Sequence, residues 1–264
     1  MAIVYCKFPN AGLGNQLFVL ARALYFANRN NSKLKFIDAQ QVKIGPMLRG
    51  ERTKRLYVGF FKFQKGFFLE FILKLYYSKK INLVKINDPK IDSDCHEDVK
   101  FTKLPHYSQY FDELIPHRET IRELIFNNLT LKNQRAIKLQ GTIDVAVHVR
   151  MGDFQKLAQG VDFKSVGATR TPFTYFLNEI NKIKVVHPEY NFYIFSDGHK
   201  DELTPLLVDS NIQIYKSKND LLDLYQMSKS KILITSAGST YSYWAGFLGD
   251  SEVIQHPDHF CKLR

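Results

Sequence analysis

Arg150 is the residue of this sequence best suited to hold an anion. It stands in Asp144–Phe154, DVAVHVRMGDF, where a valine-rich run gives way to Met151-Gly152-Asp153. Its guanidinium is permanently charged and presents a planar fork of donors that matches a phosphate or diphosphate. Pairing with Asp153 at a strand end is the plainer use of an Arg there. His148 lies one alternation earlier on the same strand face, to bind phosphate or sugar or to hydrogen-bond inside a cleft. A second set of candidates sits in Ser236–Leu248, SAGSTYSYWAGFL. Small hydroxyls such as Ser239 and Thr240, after a strand and before a helix, gather side-chain donors and helix N–H groups around one point. Ordinary capping by Ser239 would use the same residue. Tyr241 can offer a ring or hydroxyl nearby, while Tyr243, Trp244 and Phe247 are expected to pack inward. Asp197 closes the strand-like run FYIFS and can accept from a ribose or a guanine edge, or make a turn. In the N-terminal half, Gly12-Leu13-Gly14 and Asn15 separate a strand from a helix, where backbone N–H groups can approach an anion. The third glycine of a dinucleotide fingerprint and the Gly-Lys-Ser/Thr of a P-loop are both missing there.

Metal chemistry finds poorer material. Asp92-Ser93-Asp94 has the Asp-x-Asp form of metal-dependent sugar transferases, but it lies in a polar, turn-like stretch with no apolar strand before it. His96 beside Cys95 lacks two further ligands. No metal site is expected.

These groups need strands and helices to position them, and the second half supplies both at regular intervals. Strand-like runs at Ile143–Arg150, Asn191–Ser196, Ile212–Tyr215, Lys231–Thr235 and Glu252–Gln255 alternate with helical patterns. The helices fall at Pro172–Lys184, 201–209, Asn219–Ser228 and from Ser239 onward. A Val-rich strand without polar alternation belongs in a parallel sheet covered on both faces. Alternation at this spacing predicts a right-handed parallel α/β sheet. Arg150, Asp197 and Ser239/Thr240 then converge on the crevice at the carboxyl ends of the strands. The first half opens similarly, with strand Ala2–Phe8, a helix from Asn15 to Asn30 and strand Lys33–Asp38. A helix is expected over Glu119–Asn128, and polar Leu131–Gln140 reads as a link between domains 1–140 and 141–264.

The 264 residues, 45% apolar and 24% charged, describe a globular chain. Cys6, Cys95 and Cys261 are odd in number and widely spaced, which suits a reducing compartment. No run of about 18 apolar residues spans a membrane, and the N-terminus has no signal-like start. A cytoplasmic protein is the simplest expectation. The net charge of +11 calls for an acidic partner. Residues 43–85 hold eleven basic against two acidic residues, +9 of that total, interleaved with Phe60, Phe61, Phe63, Phe67, Phe68, Phe71, Tyr76 and Tyr77. Such a mixture suits an anionic membrane surface or single-stranded nucleic acid. It also suits a core helix with solvated lysines.

Taken together, the motifs resemble those of the α-1,2-fucosyltransferases of glycosyltransferase family 11. GLGNQLFVLARAL at 12–24 is similar to the family's GLGNQ-F motif, and HVRMGDF at 148–154 to its His-x-Arg-Arg-x-Asp. FSDG at 195–198 resembles FSDD, and 219–249 resembles the closing block with its Ser/Thr-Phe-Ser-Trp-Trp run. The matches keep the family's order. About 40–140 shows no comparable match. There are two departures: Met151 stands in place of a second Arg, as an apolar residue does in related protein O-fucosyltransferases, and Gly198 in place of a second Asp.

The resemblance implies an α/β, GT-B-like architecture, two Rossmann-like domains facing across a cleft. The N-terminal one would take the acceptor and the C-terminal one the GDP-sugar. It implies inverting, metal-independent transfer of L-fucose from GDP-β-L-fucose to the 2-hydroxyl of a galactose-type residue, with no cofactor. Arg150, Ser239 and Thr240 would hold the diphosphate and Asp197 the ribose or base, with His148 and Tyr241 nearby. Gly14 and Asn15 would face the donor from the other domain. Asp153 is either the base for the acceptor hydroxyl or the group that orients Arg150, and orientation is favoured. The acceptor glycan is expected to be lipid-linked and met at the inner face of an anionic membrane, and nucleic acid is not expected as a partner. Two alternatives stay open: another GDP-deoxyhexose such as GDP-colitose, and a non-enzymatic basic protein that binds RNA or lipid.

Overall fold

The run Val145-Ala146-Val147 has no polar alternation, and in the structure, a computed structural model, all three residues are fully buried. The structure describes residues 2–40, 57–106, 109–216 and 218–264. Lys43, Arg49, Glu51, Arg52, Lys54 and Arg55 of the basic segment lie outside the described residues. Two compact units are formed: one by the described residues up to Ala136 with Lys262–Arg264, the other by Ile137–Cys261.

In the second unit, β5 (Ile143–Val149) is the centre of a five-stranded parallel sheet. β6 (Phe192–Ser196) and β7 (Ile212–Ile214) extend it on one side, β8 (Ser230–Ile234) and β9 (Glu252–Ile254) on the other, in the order β7-β6-β5-β8-β9. The chain thus reverses its direction of winding between β5 and β8. In an open α/β sheet, that reversal opens a crevice at the carboxyl ends of the strands. Helix α5 (Phe173–Val186) follows Pro172, whose fixed φ suits the entry to a helix. Its Phe176, Ile180 and Ile183 pack on Val145, Val147, Phe192 and Ile194. Helix α7 (Asp220–Ser228) is capped by Asn219, whose side chain accepts from Leu222 N–H at 2.9 Å. Helix α8 (Thr240–Leu248) buries Tyr243, Trp244 and Phe247, as expected. The helix expected over 201–209 is shorter, α6 (Lys200–Leu203) and one 3-10 turn, because Pro205 lacks the N–H that would continue the ladder.

The first unit has a four-stranded parallel sheet of order β2-β1-β4-β3: β1 is Ile3–Lys7, β2 Lys33–Ile37, β3 Ile86–Asn87 and β4 Val99–Phe101. The sequence signal missed β3 and β4, which are too short to show a period. Helix α1 (Leu13–Arg29) covers one face, with the Cys6 thiol directed at Val19 O. It starts at Leu13 rather than Asn15, so Gly14 and Asn15 belong to its first turn. Buried Arg22 in its middle pairs with Asp88 and Glu113 and lies 5.2 Å from the Phe101 ring centre. Helix α2 (Phe67–Leu83) lies on the other face, where Ile81 packs with Tyr5 and Ile37. Helix α3 (Arg118–Asn128) forms as expected. Leu131–Gln140 is not an open link: Leu131–Lys138 is helix α4. Its Asn133 is buried, donating to Gly59 O and Phe60 O. No helix among the described residues is long and apolar enough to cross a membrane.

Candidate functional site

The side chains that could do chemistry in the second unit collect where its sheet changes direction. Arg150 is the first residue beyond β5, and its guanidinium is held from two sides. One terminal nitrogen donates to Asp197 Oδ2 and the other to Asp153 Oδ1. Asp197, just beyond the neighbouring β6, uses its second oxygen to accept the N–H groups of Met151 (2.8 Å) and Gly152 (3.2 Å). One carboxylate therefore fixes both the Arg side chain and the backbone that carries it. The side chains of Arg150 and Asp197 are 18% and 9% exposed, against 41% for Asp153. The inner pair is thus largely shielded from water and the outer carboxylate is wet. Asp197, expected as a ribose or base contact, also serves these protein donors. Asp153 is in contact with the Arg150 guanidinium.

Ser236, which the sequence reading did not single out, ties β8 to β5. Its hydroxyl donates to His148 O at 2.7 Å and accepts from Arg150 N–H at 2.8 Å. A lone buried serine has no spacing signature, and its value depends on β8 lying beside β5. Beyond it, Ala237 N–H donates to Thr171 Oγ1 at 2.9 Å. Gly238 takes φ of 67°, a conformation that glycine adopts without a side-chain penalty. Ser239 is the N-cap residue and is buried, with Thr240 opening α8. The turn after β8 therefore brings a helix N-terminus, with its partial positive charge, to the same sheet edge as Arg150.

His148 points from β5 into this region, 5.3 Å ring to ring from Tyr241. Burial pushes its pKa down to about 3, the nearby Asp197 carboxylate opposing and Arg150 reinforcing the shift. The imidazole is therefore neutral at pH 7, and its buried Nδ1 has no hydrogen-bond partner among the described residues. Tyr241 was expected to offer its ring or its hydroxyl, and the hydroxyl donates to Asp220 O. Its ring is what lies beside His148.

The structure thus brings together Arg150, Asp153, Asp197, His148, Tyr241, Ser239 and Thr240, and adds Ser236. Gly14 and Asn15 belong to the first unit. The Asp-x-Asp pair is engaged locally: Asp92 with His117 at 2.9 Å and Asp94 with Arg29 at 3.1 Å. Among the described residues, no group of three or more His, Cys, Asp or Glu is arranged to hold a metal ion.

A family model described as Glycosyl transferase family 11 matches residues 5–256. No curated protein matches the sequence. Among solved structures, fucosyltransferase NodZ from Bradyrhizobium is similar at 12% identity and a TM-score of 0.54, covering 98% of this chain and 96% of that one. NodZ alpha-1,6-fucosyltransferase soaked with GDP-fucose is similar at 14% identity and 0.54, covering 97% and 95%. POFUT1 in complex with GDP is similar at 12% identity and 0.50, covering 97% and 98%. At these identities the likeness is one of fold. The two parallel α/β sheets match the GT-B-like fold of these fucosyltransferases.

Proposed function

Because the chain belongs to glycosyl transferase family 11, we propose that it transfers L-fucose from GDP-β-L-fucose to the 2-hydroxyl of a galactose-type residue. Transfer inverts the anomeric carbon and uses no metal or other cofactor. The observation that carries this reading is the Arg150 fork, held by Asp153 and Asp197 at the sheet edge where the N-terminus of α8 also arrives. NodZ soaked with GDP-fucose and POFUT1 bound to GDP support the choice of donor.

The leaving group dictates what the protein must supply. As the anomeric carbon–oxygen bond breaks, GDP takes the electron pair and the sugar becomes oxocarbenium-like. The acceptor oxygen bonds to the anomeric carbon from the opposite face and its proton is lost to solvent, so a β-linked donor gives an α-linked product. Arg150 and the first turn of α8, with Ser239 and Thr240, stabilise the diphosphate as its charge grows. One well-placed donor in such a site contributes about 3–4 kcal/mol to the barrier. Met151 removes the second Arg of the motif, so that task falls on Arg150. Asp197 and Asp153 are positioning residues for the fork, Asp197 being the more shielded and the more important. Neutral His148 and the Tyr241 ring line the donor sugar's side.

Residues 141–264 hold the donor in this account, and 1–140 hold the acceptor. Favouring an acceptor there is a pocket of about 300 Å³ in the first unit, lined by Lys7, Asn87, Lys100 and Thr102 of the strands and the residues just beyond them and by Asn82 near the end of α2. Amides and hydroxyls of this kind suit sugar hydroxyls. Cys6, Cys95 and Cys261 form no disulfide, which fits a reducing cytoplasm, and the acceptor in this reading is carried on a lipid.

The test is product analysis. Incubation with GDP-fucose and a β-galactoside, with GDP-colitose in a parallel reaction, should yield an α-fucosyl residue on galactose O2 by NMR. A product fucosylated elsewhere, or turnover of GDP-colitose alone, would replace this reading.

A further inference from the structure

Helix α2 is apolar on two faces, and the described residues cover only one of them. Tyr77 and Ile81 turn inward onto Tyr5 and Ile37 of the sheet. At helical spacing, Phe68, Phe71, Ile72, Leu75, Tyr76 and Leu83 fall on the opposite side. Phe68 is 79% exposed, Leu83 80%, and Phe71 and Leu75 58% each. Scattered apolar residues on a surface need no explanation. Six along one face of a single helix form a continuous patch of the kind that marks an interaction site.

Charge decides between the occupants. Residues 57–87 carry six lysines and one acidic residue, Glu70, which is buried. Lys74 pairs with Asp38, while Lys65, Lys79, Lys80 and Lys85 are exposed around the helix and its two ends. A second copy of this chain would set this lysine-bearing face against its own image, and like charges oppose such an interface. A bilayer with anionic headgroups satisfies both halves of the pattern at once: the rings enter the headgroup–acyl boundary and the ammonium groups meet phosphate. The aromatic residues of the basic segment also separate by depth. Phe60 and Phe61 are buried, and Phe63 stacks on Phe36 with centroids 3.7 Å apart, whereas Phe68, Phe71 and Tyr76 face out.

We infer that the outer face of α2, from Phe68 to Leu83, docks the protein on an anionic lipid surface. The helix lies in the plane of the interface and does not cross it. Its last residues connect docking with the acceptor side, because Ile81 and Asn82 line the 300 Å³ pocket at the strand ends. A docked helix would hold that pocket close to the headgroups, where a lipid-carried glycan is presented. Docking itself does not depend on the proposed activity, since it can be measured without donor or acceptor.

The experiment is co-sedimentation of the whole chain with vesicles of phosphatidylglycerol and phosphatidylcholine, and with phosphatidylcholine alone. The protein should pellet with the anionic vesicles at low salt and be released at 0.5 M NaCl. Phe71→Ser with Leu75→Ser should weaken the partition at least about tenfold. Lys79→Glu with Lys80→Glu should weaken it at least about 25-fold, each lysine near such a surface contributing about fivefold. All four side chains are exposed, so circular dichroism and melting should be unchanged. Absence of binding at low salt would overturn the inference, as would binding that survives the Phe71/Leu75 pair. Self-association by sedimentation velocity that the same pair abolishes, without vesicle binding, would assign the face to a second copy instead.

Discussion

Met151 packs against Gly198 so closely that a Cβ at position 198 would lie 2.7 Å from Met151 Cγ and 3.0 Å from its Cβ. These are the two positions at which the sequence departs from the family motifs, where an Arg and an Asp are otherwise found. They are neighbours in space, with the Met151 side chain over Gly198. Gly198→Asp alone should therefore destabilise the protein by about 1–3 kcal/mol through overpacking and an acidic group set against the Met151 thioether. The double variant Met151→Arg/Gly198→Asp should recover part of that loss, with a coupling energy of about 0.5–3 kcal/mol in a denaturant-unfolding cycle. Strictly additive effects would mean that the two positions are independent.

His148 predicts a pH dependence of stability. Its pKa is near 3 in the folded protein, lowered by burial, against about 6.5 in an unfolded chain. The unfolded state thus binds a proton that the folded state refuses, so this contribution is fully present above pH 6.5 and is lost as pH falls towards 3. His148→Phe should flatten the fall in unfolding free energy across that window by up to about 1.4 kcal/mol per pH unit. An identical slope in the two proteins would show that His148 is not held neutral.

Asp197 and Asp153 both grip Arg150, and their burial ranks them. Asp197→Asn, which keeps shape but loses the charge facing the guanidinium, should lower kcat/KM by about 10- to 100-fold. Asp153→Asn, at a half-exposed site, should cost less than about tenfold and leave the acid limb of the pH–rate profile in place. A loss of about 10²- to 10⁴-fold with that limb abolished would instead make Asp153 the general base.

Transfer should continue in EDTA, with added Mg²⁺ affecting only product release. Asp92→Asn and Asp94→Asn should be silent, because those carboxylates serve His117 and Arg29. Turnover that chelation stops and Mg²⁺ restores would place a metal in the reaction.

Much of the second unit could be read before its structure. Its three central strands, β5, β6 and β8, have five to seven residues rich in Val, Ile and Phe, and burial on both faces enforces that pattern. The groups around Arg150 followed from strand order, since all of them sit at carboxyl ends. Ser236 did not, because its two hydrogen bonds reach residues 86 and 88 positions away in sequence. Nor did the Asp197 hydrogen bonds: a carboxylate at a strand end suits a ribose as well as it suits the N–H groups of Met151 and Gly152 beyond β5. The first unit was less legible. β3 and β4 have two and three residues, and α4 shows a polar face with little more than Ile137 and Asn133 turned inward. Helix α2 gave an ambiguous signal for a physical reason, its apolar residues being on both sides.

The most direct test of the account is the steady-state kinetics of Arg150→Lys with GDP-fucose and a galactoside acceptor. Lysine preserves the charge but has one donor centre in place of a fork that two carboxylates aim. kcat/KM should fall by at least about a hundredfold, the scale of one lost transition-state donor, with the melting temperature little changed. An Arg150→Lys enzyme of near wild-type kcat/KM would contradict the account, because the charge of the departing GDP would then be carried elsewhere.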